Sequence, residues 1–431
     1  MKLAKLSLAA IVVAGLTTSA FAADTLADAF KEGKISGELR AWYFDRDRNA
    51  AGESGDIFNT GVRLTYLSGS LHGFSLGATM QSSYSPFADV DAKNVFEDDM
   101  YGSGVQLSEA YINYTLGKTT AKVGRQFIKT PLIGSSASRM ITQSFEGALV
   151  TNTNLPQTTV MAGVITKFQA RTNGSERISE SDEFGDVADF EALNNDHDYA
   201  YTAMIVNKSI PNLELTFQYL TLDNDASAVS TTTSSSASAK AKSKLANQTK
   251  GYQDFYLEAD YQSTLGAFDY GIAVNYLYTN WQSYDEGIMY GAKVNIGYGD
   301  FKAYAAYSEI VSDESKKGVK SGEGGGAQPN FVKGKQIQVG KYSADTKGYS
   351  LDANYNFKQI GVTAGARYTA LDVGSLGTTL TDEKITDFYA GYKFTGTLKG
   401  LELETLYTIL SDGYAPSGTG DELWFKANYK F

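Results

Sequence analysis

Residues 268–279 read Phe268-Asp269-Tyr270-Gly271-Ile272-Ala273-Val274-Asn275-Tyr276-Leu277-Tyr278-Thr279. Phe268, Tyr270, Ile272, Val274, Tyr276 and Tyr278 occupy every second position, and Asp269, Gly271, Ala273, Asn275 and Thr279 fall between them. Successive side chains of a β-strand point to opposite faces, so a period of two makes a strand with one apolar and one wet face. Residues 286–297 repeat the rule: Ile288, Tyr290, Ala292, Val294 and Ile296 alternate with Met289, Gly291, Lys293 and Asn295. Segments 360–370 and 384–394 set Tyr368, Tyr392 and Phe394 against Arg367, Asp387 and Lys393. Alternation alone does not say which face is inside. Length does, because a sheet this long closed on itself leaves an interior too wide for apolar side chains to fill. The wet face turns inward.

Along the rest of the chain the same pattern predicts 18 strands in an all-β, single antiparallel transmembrane barrel. The first nine lie at 34–44, 57–67, 73–83, 105–116, 119–127, 143–152, 157–168, 199–208 and 212–222. The rest lie at 252–262, 267–280, 286–297, 301–310, 346–357, 360–370, 384–394, 399–410 and 421–431. Eight connections are short turns such as Gly117-Lys118 and Lys358-Gln359, and they alternate with nine mostly longer loops. Short turns on one side and long loops on the other, with an even strand number, is the layout of an outer-membrane barrel.

The ends of the chain agree. Lys2 and Lys5 precede an apolar run from Leu6 to Leu16, and Ala20-Phe21-Ala22 supplies small residues for cleavage between Ala22 and Ala23. That run is too short to span a bilayer, so residues 1–22 read as a signal peptide. Residues 23–33 then form a short periplasmic segment and 34–431 the barrel. At the other end Leu423, Phe425, Ala427, Tyr429 and Phe431 alternate with Trp424, Lys426, Asn428 and Lys430. This is a strand that must close a sheet, and Tyr429 and Phe431 resemble the ending that barrel-assembly machinery recognises. The expected location is the bacterial outer membrane, with lipid and lipopolysaccharide as surroundings and a homotrimer as one possible assembly.

Composition narrows the function. Forty-three Gly, 29 Tyr and only 6 Pro accompany no apolar stretch of 18 residues, which suits strands with a lipid face, a wet face and aromatic girdles. With no Cys, no disulfide contributes. Removing Lys2 and Lys5 takes the net charge from −11 to −13, which argues against nucleic acid as a partner. His72 lies in a short turn and His197 in an acidic loop, neither beside a nucleophile in a recognisable triad, so no enzyme is expected. Gly102-Ser103-Gly104 and Gly324-Gly325-Gly326 lack the strand–loop–helix context of a phosphate cradle, and no cofactor or metal motif stands out. Residues 223–250 and 313–330, rich in Ser, Thr, Gly and Lys, are expected to be mobile and external. Loop 171–198 carries Glu176, Glu180, Asp182, Glu183, Asp186, Asp189, Glu191, Asp196 and Asp198, a solvated loop or a site for divalent cations.

Assigning the polar parity to the lumen gives Arg40, Arg63, Lys122, Lys293, Lys302, Arg367, Lys393 and Lys426 as basic lining. Glu38, Glu109, Glu258, Asp260, Asp269, Asp352, Asp387, Glu402 and Glu404 are its acidic counterpart. Arg125 shares parity with Val123, so alternation would face it to lipid, and a place at the strand's outer end or beyond a bulge is the alternative. Loop 128–142, with Lys129, Pro131, Gly134, Arg139 and the small Ser135, Ser136, Ala137 and Ser138, is the candidate to fold into the pore. A wet, mixed-sign lumen with a constriction is what a diffusion pore for small polar solutes and ions needs. An adhesive or structural barrel acting through its loops is the alternative.

Leu39-Arg40-Ala41-Trp42-Tyr43-Phe44-Asp45-Arg46-Asp47 resembles the N-terminal signature of OprD-type outer-membrane porins. Gly124-Arg125-Gln126, with Thr130-Pro131-Leu132 and Arg139-Met140-Ile141-Thr142-Gln143-Ser144-Phe145-Glu146-Gly147-Ala148, resembles the family's next landmark around its third loop. Motifs carry the resemblance in the first third of the chain and architecture carries it afterwards. It implies an 18-stranded barrel, an eyelet formed by the third loop, and an arginine ladder that guides carboxylate-bearing solutes. Arg139 and Arg40 are the positions onto which the ladder carries over, and the rest of it is not visible as a motif. The implied preference, for amino acids or carboxylates, is a weak one, and the mixed lining reads as a general or weakly selective porin.

Overall fold

The computed structural model describes residues 23–48, 54–96, 99–172, 188, 190–193, 199–222, 251–282, 284–312, 317–335, 341–374, 382–412 and 419–431. A short helix, α1 (Leu26–Lys31), capped by the Thr25 side chain, precedes the sheet. The strands are β1 (Lys34–Arg48), β2 (Gly55–Leu67), β3 (Phe74–Ser83), β4 (Gly104–Leu116), β5 (Thr119–Gln126), β6 (Ser144–Asn152), β7 (Thr158–Gln169), β8 (Phe190–Ala192), β9 (Ala200–Asn207) and β10 (Leu213–Leu222). They continue as β11 (Tyr252–Leu265), β12 (Phe268–Trp281), β13 (Gly287–Tyr298), β14 (Phe301–Ser312), β15 (Lys347–Phe357), β16 (Val362–Asp372), β17 (Glu383–Lys393), β18 (Leu401–Asp412) and β19 (Gly420–Lys430). Helix α2 (Val90–Phe96) stands in the loop between β3 and β4.

β8 adds three residues to the rim beside β7, while β7 itself pairs onward with β9. The other 18 strands form the wall, each antiparallel to its neighbour, and β1 pairs with β19 to close it. Each of the 18 segments read from alternation coincides with a wall strand, with ends displaced by a few residues. β1, for example, runs four residues past the expected Phe44 to Arg48. Two-residue turns at Gly117, Gly266 and Gly299 hold φ of +58°, +61° and +58°, a conformation that other residues adopt at a cost.

Exterior and interior separate along every strand. Val123, Ile272, Val274, Val294, Ile296 and Leu351 are about half exposed on one face. Aromatic pairs cluster on that face at the turn end, with ring centroids 4.5 Å apart for Phe74–Tyr114 and 4.7 Å for Phe268–Tyr298. A second band lies nearer the loops, including Tyr219–Phe255 at 4.9 Å. Two aromatic bands around an apolar belt are the girdles of a membrane barrel.

The inner face departs from the sequence reading, which gave it to polar side chains alone. From the middle of the wall upward many inward positions are apolar: Phe145, Leu149, Met161, Met204, Leu220, Tyr256, Leu277 and Ile310 are buried in one cluster. Trp42, Phe44, Ile57, Leu406 and Trp424 form a second with Phe96 of α2. Both clusters contain residues of loops that reach the inner wall. The interior is too wide to fill with wall side chains, and loops complete the packing.

Candidate functional site: inward loops and charged lumen

L3, the loop over residues 127–143, is bonded to opposite walls. Its Leu132 N–H donates to Gln218 Oε1 of β10 (2.9 Å), and Gln218 Nε2 donates to Thr130 Oγ1 (3.0 Å). On the far side Lys426 Nζ of β19 donates to Ser138 O (3.1 Å), and Arg40 Nη1 of β1 to Met140 O (2.7 Å). Gln81 of β3 grips Thr142 through both its backbone N–H and its carbonyl, each at 3.0 Å. Ile128, Leu132 and Ile133 enter the first apolar cluster and Met140 the second, so each end of the loop has its own anchor. The loop is fixed by burial as well as by hydrogen bonds.

A second loop, L7 (residues 313–346), packs on the first, and this corrects the expectation that 313–330 is mobile and external. Residues 313–316 and 336–340 lie outside the described residues; Lys317 to Lys335 follow the interior. Glu323 N–H donates to Leu132 O (2.8 Å), Gly134 N–H to Glu323 O (2.9 Å) and Gly326 N–H to Gly134 O (2.9 Å). Gly322 and Gly324 take φ of +83° and +78°, and a Cβ on Gly322 would stand 2.1 Å from Leu132 O. The glycines that made the segment look unstructured are what allow two backbones to meet. L7 also reaches the wall: Lys333 N–H donates to Ser350 Oγ (3.1 Å) and Lys335 N–H to Asp387 Oδ2 (2.7 Å). Loop 223–250 and most of acidic loop 171–198 lie outside the described residues.

Two groups of basic side chains lie on these loops and on the wall that holds them. In the first, Asp99 of L2 (residues 84–103) binds Arg139 Nη2 (2.9 Å), Arg171 Nη1 (2.7 Å) and, more loosely, Arg46 Nη2 (3.7 Å). Burial pushes the Asp99 carboxyl up, but the guanidiniums of Arg139, Arg171 and Arg46 outweigh it and hold the group below the usual carboxylate range. Arg139 and Lys426 both lie over the Trp424 ring, at 4.7 and 4.1 Å. Below them Glu38 joins Arg40 (2.8 Å) and Arg63 (3.1 Å).

The second group is centred on Arg367, whose Nε binds Asp352 (2.9 Å) while its Nη1 donates to Lys333 O (3.2 Å). Lys293 sits over Phe331 of L7 at 4.6 Å, and Lys335 over Tyr389 at 3.5 Å. Burial, reinforced by the charges of Arg367 and Lys293, lowers the Lys333 ammonium to about 8. Lys129 of L3 is exposed, and its charge also acts on Lys333.

The remaining sequence-derived lining residues hold other places. Lys122 is buried over the Tyr111 ring (3.8 Å), and Glu109 accepts from Thr79 Oγ1 (2.6 Å) and Phe127 N–H (3.1 Å), bracing the entry to L3. Lys302 and Lys393 are exposed near the turn end, where Lys393 binds Glu402 at 2.9 Å. Arg125 faces outward as its parity demanded, paired with Glu146 at 3.3 Å. Arg46, Asp99, Arg171, Lys333 and Lys335 were missed. Only Arg46 carried a signal, the even parity of β1 continued beyond Phe44. Among the described residues, no group of three or more His, Cys, Asp or Glu is placed to hold a metal ion.

A closed 18-strand antiparallel barrel with aromatic girdles, two inward loops and a charged lumen is a porin architecture. The chain belongs to the OprD family of outer-membrane porins, which matches residues 28–431. Its fold is similar to OccAB2 of Acinetobacter baumannii, with a TM-score of 0.71 at 17% identity over 94% of this chain and 99% of that one. OccK2 (OpdF) of Pseudomonas aeruginosa, solved with glucuronate, gives a TM-score of 0.70 at 15% identity over 93% and 98%. OpdK of the same organism, solved with vanillate, gives 0.71 at 15% over 93% and 99%. No curated protein sequence matches the chain. The protein is thus a bacterial outer-membrane porin, of a family whose members are channels for small solutes.

Proposed function

We propose that the protein passes small polar solutes by passive diffusion, with a preference for those carrying a carboxylate, through an eyelet framed by L3 and L7. The observation that carries the reading is the pair of basic groups on the inward loops and the wall that holds them, one at Arg139 and one at Arg367. Two unit charges 5 Å apart in water interact by only about 0.8 kcal/mol, so such groups bias passage severalfold and do not trap the solute. Acidic neighbours such as Glu38 and Asp352 leave the lining mixed, which also suits zwitterions such as amino acids. The glucuronate and vanillate found with two structural relatives are both carboxylates, which supports the same reading.

Export after removal of residues 1–22, and delivery to the assembly machinery through the strand ending Tyr429 and Phe431, belong to this proposal. Planar-bilayer recording with a salt gradient, joined to liposome swelling with amino acids, carboxylates and sugars, tests it. Anion-preferring conductance and faster swelling with carboxylates are expected. A folded protein that does not conduct would refute the pore, and equal rates for sugars and carboxylates would refute the preference.

A further inference from the structure

Helix α1 stands against the outer side of the wall at its turn end. On β2, Arg63 binds Glu38 in the lumen and Thr65 bonds to Thr79 on the inner face (2.9 Å), so Leu64 and Tyr66 face outward. Phe30 of α1 stacks on Tyr66, with ring centroids 6.5 Å apart and planes 4° from parallel. Tyr66 Oη donates to Phe30 O (2.8 Å), and its ring fills the space beside Gly33 that a Cβ would need. Two backbone bonds fasten the segment to the turn between β2 and β3: Gly69 N–H donates to Ala29 O and Ala23 N–H to Ser70 O, each at 2.8 Å. Asp28 N–H donates to the capping Thr25 Oγ1 (3.1 Å). The helix is a fixed part of the rim.

Its remaining face is apolar. Leu26 and Phe30, four residues apart and so on one side of the helix, are 62% and 48% exposed. Ala29 is buried toward the turn, while Asp28 and Lys31 lie around the helix from the Leu26–Phe30 side. Ile35 of β1, opposite Tyr66 in the ladder, and Leu39 beyond it are exposed on the outer face. The apolar side of α1 therefore continues the surface that the wall presents to acyl chains.

We propose that α1 is an interfacial anchor, docking Leu26 and Phe30 among the glycerol groups and upper acyl chains of phospholipids in the periplasmic leaflet. Lipid is the occupant because this face adjoins the lipid-facing belt. A ring stacked on an outward Tyr, beside an exposed Leu, is also the side-chain chemistry of a membrane interface. The inference rests on the reading that residues 1–22 are removed, and it gives the segment that follows them a partner. The anchor sets the depth of the periplasmic end of β1, and with it the end of the β1–β19 seam at Gly37 and Phe431.

The chain has no Cys, so a single introduced Cys carries a single nitroxide label. Leu26→Cys, Phe30→Cys, Lys31→Cys and Leu39→Cys, each in the chain from Ala23 onward, are folded into vesicles of phosphatidylethanolamine and phosphatidylglycerol. Power saturation then compares collision of each label with oxygen, which concentrates in lipid, and with a nickel chelate, which stays in water. Labels replacing Leu26 and Phe30 should give an oxygen-to-nickel ratio severalfold above that of the label replacing Lys31, and approaching that of the label replacing Leu39. Ratios at Leu26 and Phe30 no higher than at Lys31 would overturn the proposal, because a helix turned to the periplasm predicts that outcome. Should Phe30→Cys release the helix by losing the stack on Tyr66, Leu26→Cys, which leaves Phe30 in place, decides alone. The mass of the protein extracted from outer membranes reads the other premise separately: a chain that keeps residues 1–22 would strike the cleavage reading, whereas the label ratios test α1 itself.

Discussion

Gln218 on β10 and Lys426 on β19 stand nine strands apart in a ring of 18, yet both bind L3, at Leu132 and at Ser138. Half the ring separates them, so the loop between its two grips runs along a diameter.

Replacing Gln218 with Leu removes the acceptor for Leu132 N–H and the donor to Thr130 Oγ1. Each such bond contributes about 1 kcal/mol, and the freed Leu132 N–H is left buried. The expected outcome is a folded barrel whose single-channel current flickers and averages higher than wild type. A trace as quiet as wild type would show that the apolar anchors alone hold L3.

Gly322→Ala tests the backbone contact between the loops. Its φ of +83° and the 2.1 Å approach to Leu132 O leave no room for a Cβ, at a local cost on the order of 1–2 kcal/mol or more. L7 should move off L3, raising conductance and admitting larger sugars in liposome swelling. An unchanged size cut-off would count against L7 as part of the frame.

Arg139→Ala removes a charge that touches Asp99 and lies over Trp424. The anion-to-cation ratio should fall severalfold, by the scale of one unit charge about 5 Å away in water, with heat-modifiable gel migration unaffected. An unaltered reversal potential would take Arg139 out of the selective region.

Lys333 gives a pH dependence whose sign is fixed. Its ammonium, lowered to about 8, is charged below that value and neutral above it. Anion preference should therefore decline as pH rises from 7 to 9, and Lys333→Arg should flatten the curve, because a guanidinium stays charged throughout that range. A decline of equal size in the Arg variant would place the titrating group elsewhere.

How much of this was legible in sequence follows from what each residue leaves in the pattern. Wall strands were legible because lipid on one side and water on the other force a period of two, as at Phe268–Thr279. The same parity put Arg40, Lys426 and Arg367 on the inner face. It failed where both faces are apolar: on β10, Leu215, Phe217 and Tyr219 alternate with inward-facing Leu220 and Leu222 at its upper end, and period two cannot say that the inner pair anchors a loop. L7 was illegible for a different reason. Its packing runs through Gly322, Gly324 and Gly326, and main-chain contact leaves no side-chain pattern. Asp99 is the last of three consecutive acidic residues after a short helix, Glu97-Asp98-Asp99, and nothing in that run marks it out: its partners Arg46 and Arg171 come from 53 residues before it and 72 after it.

The seam between β1 and β19 imposes an order on assembly. Every other ladder of the wall joins strands that follow one another, so each can form as a hairpin from local chain. The seam pairs Glu38 with Lys430 through to Arg48 with Gly420, and extends to reciprocal bonds between Gly37 and Phe431 at 2.9 and 3.0 Å. Bringing together ends nearly 400 residues apart costs on the order of 5 kcal/mol of chain entropy, a cost met once and late. Until β19 is delivered, the growing sheet keeps two long unpaired edges, each a template for pairing with a neighbouring chain. A transcript cut short before β19 would therefore yield an aggregation-prone ribbon instead of a smaller channel, and quality control acting on that ribbon would see full-length and truncated product as different kinds of object.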